Sequence, residues 1–124
     1  MFQLDHGDHR PIYEQIKDKM KTLIITGILR ENDKVPSVRE LASMLTINPN
    51  TIQKAYRDLE TEGYLYSLRA KGSFVSPRRE VVKRSDTEEV LEQFKTLVSK
   101  MNFLGVSYDA LLDVLKDEFN RKDE

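Results

Sequence analysis

A pair of capped helical segments separated by a short turn constrains this chain more than any other feature. The first segment follows Ser37, and Glu40 stands at the spacing of a capping box. The second begins at Asn48 and Pro49, a good N-cap followed by a good first helical residue, and ends at Gly63. Two helices joined by so short a turn predict a helix-turn-helix.

The second of these helices, over residues 48–63, divides into two faces. One face is apolar and suits a protein core: Ile52, Ala55, Tyr56 and Leu59. The opposite face is polar: Asn50, Gln53, Lys54 and Arg57. Because a B-DNA major groove admits one helix, the polar face can offer amides to adenine and cations to guanine or phosphate. We therefore interpret this segment as a recognition helix.

After the recognition helix the apolar period changes to that of a strand. Residues 64–66 and 73–76 predict two short strands with a basic hairpin tip between them. Arg69 and Lys71 at this tip can contact the DNA backbone, and Gly72 permits a sharp turn. The sequence therefore predicts a wing beside the helix-turn-helix.

Three further segments flank this core. Residues 11–26 have apolar side chains at spacings of three and four, which predicts another helix. In the connector that follows, we expect Ile28 and Leu29 to be buried. Residues 78–85, after the hairpin, predict a charged linker or the lead-in to a helix.

The last third of the chain predicts two amphipathic helices, at residues 86–101 and 107–119. Isolated helices this short are marginal in water, so their stripes must pack on the preceding domain, on each other or on a second chain. We favour a homodimer, because two recognition helices related by a two-fold axis read a palindrome. The expected interface comprises Val90, Phe94, Leu97, Val98, Met101, Leu111, Leu112, Leu115 and Phe119.

Together these elements predict a mainly α fold with a small β-hairpin. Residues 1–78 form the expected winged helix-turn-helix DNA-binding domain, and residues 79–124 form the expected helical dimerisation region. Residues 34–79 carry eight basic and four acidic side chains, a net charge of +4, whereas residues 80–124 carry seven basic and eleven acidic, a net charge of −4. Because proteins that bind nucleic acid carry clustered basic side chains on the binding surface, we expect DNA contacts in the first of these ranges.

Composition argues against several other classes of protein. No apolar run approaches the ~20 residues that span a bilayer, and the first ten residues have no apolar signal region, so we expect a cytoplasmic protein. The chain has no cysteine, which excludes disulfides and thiolate chemistry. We expect no enzymatic activity, cofactor or metal. The two histidines, His6 and His9, stand in a short N-terminal arm, where a metal site with Asp5 and Asp8 is the less favoured alternative.

Several spaced motifs resemble the winged helix-turn-helix of the GntR family of bacterial regulators over residues 11–76. They are PIYEQI at 11–16, GxL at 27–29, KxPSxRELA at 34–42 and KGSFV at 71–75. Two more motifs are similar to the YtrA-type subfamily in particular: NPNT at 48–51 and KAYRxLExEG at 54–63.

The resemblance implies a homodimeric repressor of a transporter-type operon; it identifies no small-molecule effector. It also implies DNA contacts from the PSxRE motif, the recognition helix and the wing. The complete set of expected DNA-contacting residues is Ser37, Arg39, Asn48, Asn50, Thr51, Gln53, Lys54, Arg57, Arg69, Lys71, Gly72 and Ser73. Two positions depart from the family: Pro49 replaces a frequent arginine, and Ala70 replaces the usual glycine of the wing.

A winged helix can also bind another protein, and this alternative stays open. A protein-binding face is expected to expose apolar or aromatic anchors, whereas the predicted recognition face is polar. RNA binding is less favoured, because no aromatic stacking platform is apparent on a strand.

Overall fold

The computed structural model describes Leu4 and residues 7–121. Within this range the chain forms helices and one two-stranded antiparallel sheet, which confirms the predicted fold class. The elements are α1 (Ile12–Ile25), α2 (Val38–Leu45), α3 (Pro49–Thr61), β1 (Leu65–Leu68), β2 (Gly72–Val75), α4 (Arg78–Arg84), α5 (Thr87–Phe103) and α6 (Tyr108–Arg121). No described helix is long and apolar enough to cross a membrane.

The chain divides into two compact units, Met1–Ser85 and Asp86–Glu124. The division thus follows Ser85, whereas the sequence places it after residue 78. The difference is α4, which packs on the first unit. Its Arg84 guanidinium donates to the carbonyl of Glu60 at 3.2 Å, and the backbone N–H of Arg78 donates to Glu31 Oε1 at 2.7 Å.

The predicted caps set the start of the two central helices. Ser37 Oγ accepts the backbone N–H of Glu40 at 3.0 Å, and Glu40 Oε1 accepts the N–H of Ser37 at 3.1 Å, which completes the capping box. Asn48 Oδ1 accepts the N–H of Asn50 at 2.8 Å, and Pro49 is the first residue of α3. Thr46 ends α2 in the left-handed conformation, with φ 55°.

The hydrophobic core of the first unit lies where α1, α2 and α3 meet the sheet. Each large apolar side chain that becomes fully buried stabilises the fold by roughly 1.5–3 kcal/mol. The buried apolar residues are Ile16, Met20, Leu23, Val35, Leu41, Ala42, Ile52, Ala55, Tyr56, Leu59, Leu65 and Val75. The connector after α1 contributes less than expected. Leu29 packs against this core, but Ile28 is 60% exposed, so its predicted burial is wrong.

A third extended segment pairs with the hairpin, and it is this pairing that the sequence did not predict. β1 and β2 are antiparallel, with Leu65 opposite Val75 and Leu68 opposite Gly72. Lys34 forms an isolated bridge with Phe74 on the other side of β2. The N–H of Val35 donates to the carbonyl of Ser73 at 3.0 Å, and the N–H of Val75 donates to the carbonyl of Asp33 at 2.8 Å. The segment before α2 is therefore fastened to the wing.

The second unit consists of α5 and α6. Asp86 Oδ1 accepts the N–H of Glu89 at 3.1 Å and so caps the start of α5. Ser107 Oγ accepts the N–H of Ala110 at 3.1 Å before α6. Neither helix contributes a buried side chain in the part of the chain that the structure describes.

Candidate nucleic-acid interface

The polar face of α3 is open to solvent. Asn50, Gln53 and Arg57 are exposed, while Thr51 is half-buried. Asn48 is exposed too, but its Oδ1 is engaged in the helix cap. Because the apolar face of α3 is buried, the helix can present these side chains without losing core contacts.

Lys54 occupies the edge of this face and touches α1. Its ammonium lies 3.9 Å from the centroid of the Tyr13 ring, well inside the range of a cation–π interaction. Tyr13 is half-buried and packs against the core. Lys54 therefore differs from Gln53 and Arg57 in having an aromatic partner on another helix.

Ion pairs fasten α1 to the later part of α3. Lys17 Nζ lies 2.7 Å from Glu62 Oε2 and 3.5 Å from Asp58 Oδ2, and Lys21 Nζ lies 2.5 Å from Glu62 Oε1. Burial alone raises the pKa of Glu62, but hydrogen bonds from the two lysines outweigh it and hold that pKa below its ordinary value. Burial likewise opposes the charged form of Lys17, and its hydrogen bond to Glu62 leaves the pKa raised. These contacts fix the angle at which α3 is presented.

At the start of α2, fewer side chains are available to bind a phosphate than the sequence predicts. Ser37 is half-buried and its hydroxyl is occupied by the capping box, so its own side chain is committed to the fold. The hydrogen bonds from the Ser37 backbone and side chain also hold the pKa of Glu40 below its ordinary value. A carboxylate thus stands at this helix start, and the exposed guanidinium of Arg39 is the group best suited to a phosphate.

The wing tip combines two cations with two residues of positive φ. Arg69 and Lys71 are exposed, and the N–H of Lys71 closes the turn by donating to the carbonyl of Leu68 at 3.0 Å. Gly72 has φ 114°, which explains the glycine predicted to be needed there. Ala70, the departure from the family pattern, has φ 65°, a left-handed conformation that a Cβ disfavours.

The structure brings a further cation to the wing that the sequence analysis did not select. Lys34, on the segment paired with β2, passes beside Gly72, where a Cβ would lie 3.1 Å from Lys34 Cε. Ser73 is half-buried, and its hydroxyl lies 3.3 Å from that of Ser67 across the hairpin. The signal that could have identified Lys34 is long-range pairing, which the local sequence does not encode.

Several cations on this surface form no ion pair with a described carboxylate. They include Arg39, Lys54, Arg57, Arg69 and Lys71, which come from α2, α3 and the wing tip. Uncompensated cations in one unit create a positive potential that attracts a polyanion. Asp58 on α3 and Glu62 at its C-terminal cap do little to cancel this potential, because both pair with lysines of α1.

Two further features of the first unit lie apart from this surface. A cavity of about 300 Å³ lies between the wing and α4, lined by Asn32, Gly63, Leu65, Tyr66, Ser76, Pro77, Glu80 and Arg84. In the arm, Asp5 and His6 lie outside the described residues, and Asp8 pairs with Arg10 at 2.8 Å. The described residues contain no cluster of histidine and carboxylate ligands suited to a metal.

Comparison with known proteins gives consistent results. A family model described as bacterial regulatory proteins, gntR family, matches residues 12–75. The HTH-type transcriptional repressor YtrA of Bacillus subtilis (strain 168) is 39% identical over 118 residues, which span 94% of this chain and 91% of that protein.

Solved structures extend the likeness to the fold. YtrA from Sulfolobus acidocaldarius, a GntR-family transcription factor, has a TM-score of 0.64 at 33% identity and covers 79% of this chain and 96% of its own. AraR(DBD) in complex with operator ORE1 has a TM-score of 0.53 at 33% identity, covering 61% of this chain and 95% of its own. A domain that matches 61% of this chain is thus known on operator DNA.

Proposed function

The chain belongs to the GntR family of bacterial regulatory proteins, and on that premise we propose that it binds a palindromic operator as a homodimer and represses transcription. The observation that carries the proposal is the exposed polar face of α3 beside the unpaired cations of the wing. The operator-bound AraR domain supports DNA as the partner. Control of a transporter operon follows from the YtrA-type resemblance, and the cytoplasmic location expected from the sequence is part of the same proposal.

We assign two kinds of DNA contact to the expected residues. Asn50, Gln53 and Arg57 lie on the exposed face of α3, and amide and guanidinium groups can discriminate bases in the major groove. The wing cations Arg69 and Lys71 are suited to phosphate, which positions a protein on DNA without reading sequence. Arg39 belongs with the phosphate contacts, because its guanidinium is exposed at the start of α2 and forms no ion pair with a described carboxylate.

The homodimer is supported by the exposure of the second unit. Its apolar stripes repeat at helical spacing, yet Phe94 is 44% exposed and Leu97 is 52% exposed. Contiguous apolar surface of this kind marks an interface in a protein that stays dispersed in water. A second copy of α5 and α6 offers a stripe of the same length and chemistry, and isologous pairing generates the two-fold axis that a palindrome requires.

The test is fluorescence anisotropy on DNA upstream of the protein's own gene, compared with scrambled DNA at two salt concentrations. We expect a preference of about 10³-fold or more and a strong salt dependence. If that DNA shows no preference, selection from a random-sequence pool identifies the operator. Failure to bind DNA in both experiments would contradict the proposal and favour a winged-helix module that binds another protein.

Variants then separate base readout from backbone contact. Gln53→Ala should relax sequence preference at one position of each half-site, by about 1–3 kcal/mol. Lys71→Ala should weaken binding about equally on operator and scrambled DNA and lower the salt slope by about 1. Equal behaviour of the two variants would reject this division of roles.

A further inference from the structure

We propose that Tyr13, which lies on α1 and outside the helix-turn-helix, is a positioning residue for Lys54 and aims its ammonium at a DNA phosphate. The inference rests on the proposed function, because it gives a role in DNA binding to a residue that the site did not include. Its central observation is the 3.9 Å distance from Lys54 Nζ to the Tyr13 ring centroid.

The contact belongs to a regular register between two helices. Lys17 meets Asp58, and Lys21 meets Glu62, each across 41 positions of sequence. Tyr13 and Lys54 are separated by the same interval, one helical turn earlier on both helices. The first two contacts are ion pairs between side chains that neutralise each other, whereas the third leaves its cation without a counter-charge.

Lys54 is available to DNA although it touches the ring. The residue is exposed and lies next to Gln53 on the helix that carries the polar face. An aromatic face attracts an ammonium through its quadrupole but does not neutralise the charge. The ammonium can therefore lie on Tyr13 with part of its N–H donors directed to solvent, or to a phosphate that arrives there.

The gain in affinity comes from preorganisation. A free lysine side chain has many rotamers and loses most of them when it is fixed against a phosphate. A lysine that already rests on a ring has lost part of this freedom before DNA binds. A surface cation–π contact corresponds to about two- to fivefold in binding, and the gain should be the same on every DNA sequence.

A double-mutant cycle with the full chain tests the proposal. Binding is measured on operator and scrambled DNA for Tyr13→Leu, Lys54→Ala and the combined variant. We expect Tyr13→Leu to weaken binding two- to fivefold on both DNAs, and to have no further effect once Lys54 is alanine. A loss of the same size in the Lys54→Ala background would overturn the proposal.

Two controls separate positioning from other roles of the ring. Tyr13→Phe keeps the ring and should bind like the parent; a loss equal to that of Tyr13→Leu would assign the effect to the hydroxyl and overturn the positioning role of the ring. Tyr64→Leu removes a similar contact, since Lys21 Nζ lies 5.2 Å from the Tyr64 centroid, but Lys21 is paired with Glu62. Thermal unfolding is measured for both variants, so that Tyr64→Leu and Tyr13→Leu are compared at matched stability. We expect Tyr64→Leu to leave DNA binding unchanged. A loss of binding equal to that of Tyr13→Leu would indicate a general effect of α1–α3 packing and overturn the proposal.

A measurement without DNA separates this inference from the proposed function. The ε-methylene protons of Lys54 should show an upfield ring-current shift in the NMR spectrum of the free protein. The shift should persist in Tyr13→Phe and vanish in Tyr13→Leu. If the shift is present but the chain binds no DNA, the proposed function fails and the DNA role of Tyr13 fails with it. If the shift is absent while the operator is bound, the positioning role alone fails.

Discussion

The two units of this chain have equally regular apolar stripes but bury them to different degrees. In the first unit Ile52 and Leu59 on α3 are fully buried, and the unit has a core of its own. In the second unit Phe94 and Leu97 on α5 are about half exposed, and none of its described residues is buried. Helical periodicity therefore shows that a face must be covered, but not whether the same chain covers it.

Removal of a core side chain should give the largest difference between the units. We expect Leu59→Ala to lower the free energy of unfolding of the first unit by about 2–5 kcal/mol, because a cavity adds to the lost burial. Leu91→Ala on α5, where the leucine is 51% exposed, should change that transition little. Denaturant unfolding followed by tyrosine fluorescence measures both. Similar losses would mean that the second unit shares the core of the first.

A charge in the stripe of α5 should act on assembly instead. We expect Leu97→Asp to weaken self-association by about 2 kcal/mol or more, as for a central interface residue, while the unfolding of the first unit is retained. Ser99→Asp, an exposed position outside the stripe, is the matched control. Sedimentation velocity over a range of concentrations gives the result, and an unchanged profile for Leu97→Asp would refute the role of α5 in a dimer.

Glycine should have opposite effects in the two units. Ala70→Gly relieves a left-handed alanine at the wing tip, which costs about 1–2 kcal/mol, but adds freedom to the unfolded chain. We expect a net gain of about 0.5–1 kcal/mol in thermal unfolding. Ala110→Gly, in the regular helix α6, should instead lose about 0.5–1 kcal/mol of helix stability. A loss for Ala70→Gly would show that the tip does not adopt this turn.

The smallest expected effect concerns charge. Glu62 is part of two ion pairs, and we expect Glu62→Gln to cost about 0.5–1 kcal/mol at pH 7, a value typical of partly exposed pairs. The folded state lowers the pKa of Glu62 from its ordinary value of 4.5. The stabilisation that ionised Glu62 gives the fold is therefore complete above pH 4.5 and is lost as pH falls through the lower pKa of the folded state. The parent and the variant should therefore converge in stability at low pH.

The second unit supplies the control for this charge effect. Glu92 pairs with Lys95 at 3.2 Å, but both side chains are well exposed. Glu92→Gln should consequently leave the free energy of unfolding unchanged from pH 7 to pH 3 in the same measurement. A pH-independent loss for Glu62→Gln would attribute its effect to packing and not to the ion pairs.

Local signals in the sequence were enough to predict most of the elements. Caps at Ser37 and Asn48 gave the starts of α2 and α3, and apolar periodicity gave α1 within a residue or two of its observed ends. The helix α4 had no such signal, because none of its residues is buried and its hold on the first unit is polar. Its backbone lies against Gly63, a contact that periodicity cannot indicate.

The candidate site was predictable only in outline. The spacing of residues predicted which side chains share the polar face of α3 and which lie at the wing tip. The structure exposes Gln53, Arg57 and Lys71 as expected. The residues that contact these side chains within the protein could not be predicted, because they come from segments distant in sequence. Two such contacts join residues far apart in sequence and depend on how the elements pack: that of Lys54 with the Tyr13 ring and that of Lys34 with Gly72.

The bridge between Lys34 and Phe74 has a consequence for the order of folding. Its partners lie on either side of α2 and α3, so the bridge forms after the long loop that contains both helices has closed. A growing chain that has not yet reached Phe74 lacks the strand that fixes Val35 before α2. The wing is thus the closing segment of the scaffold as well as a candidate DNA contact, and the segment before α2 is fixed only after Phe74 has been synthesised.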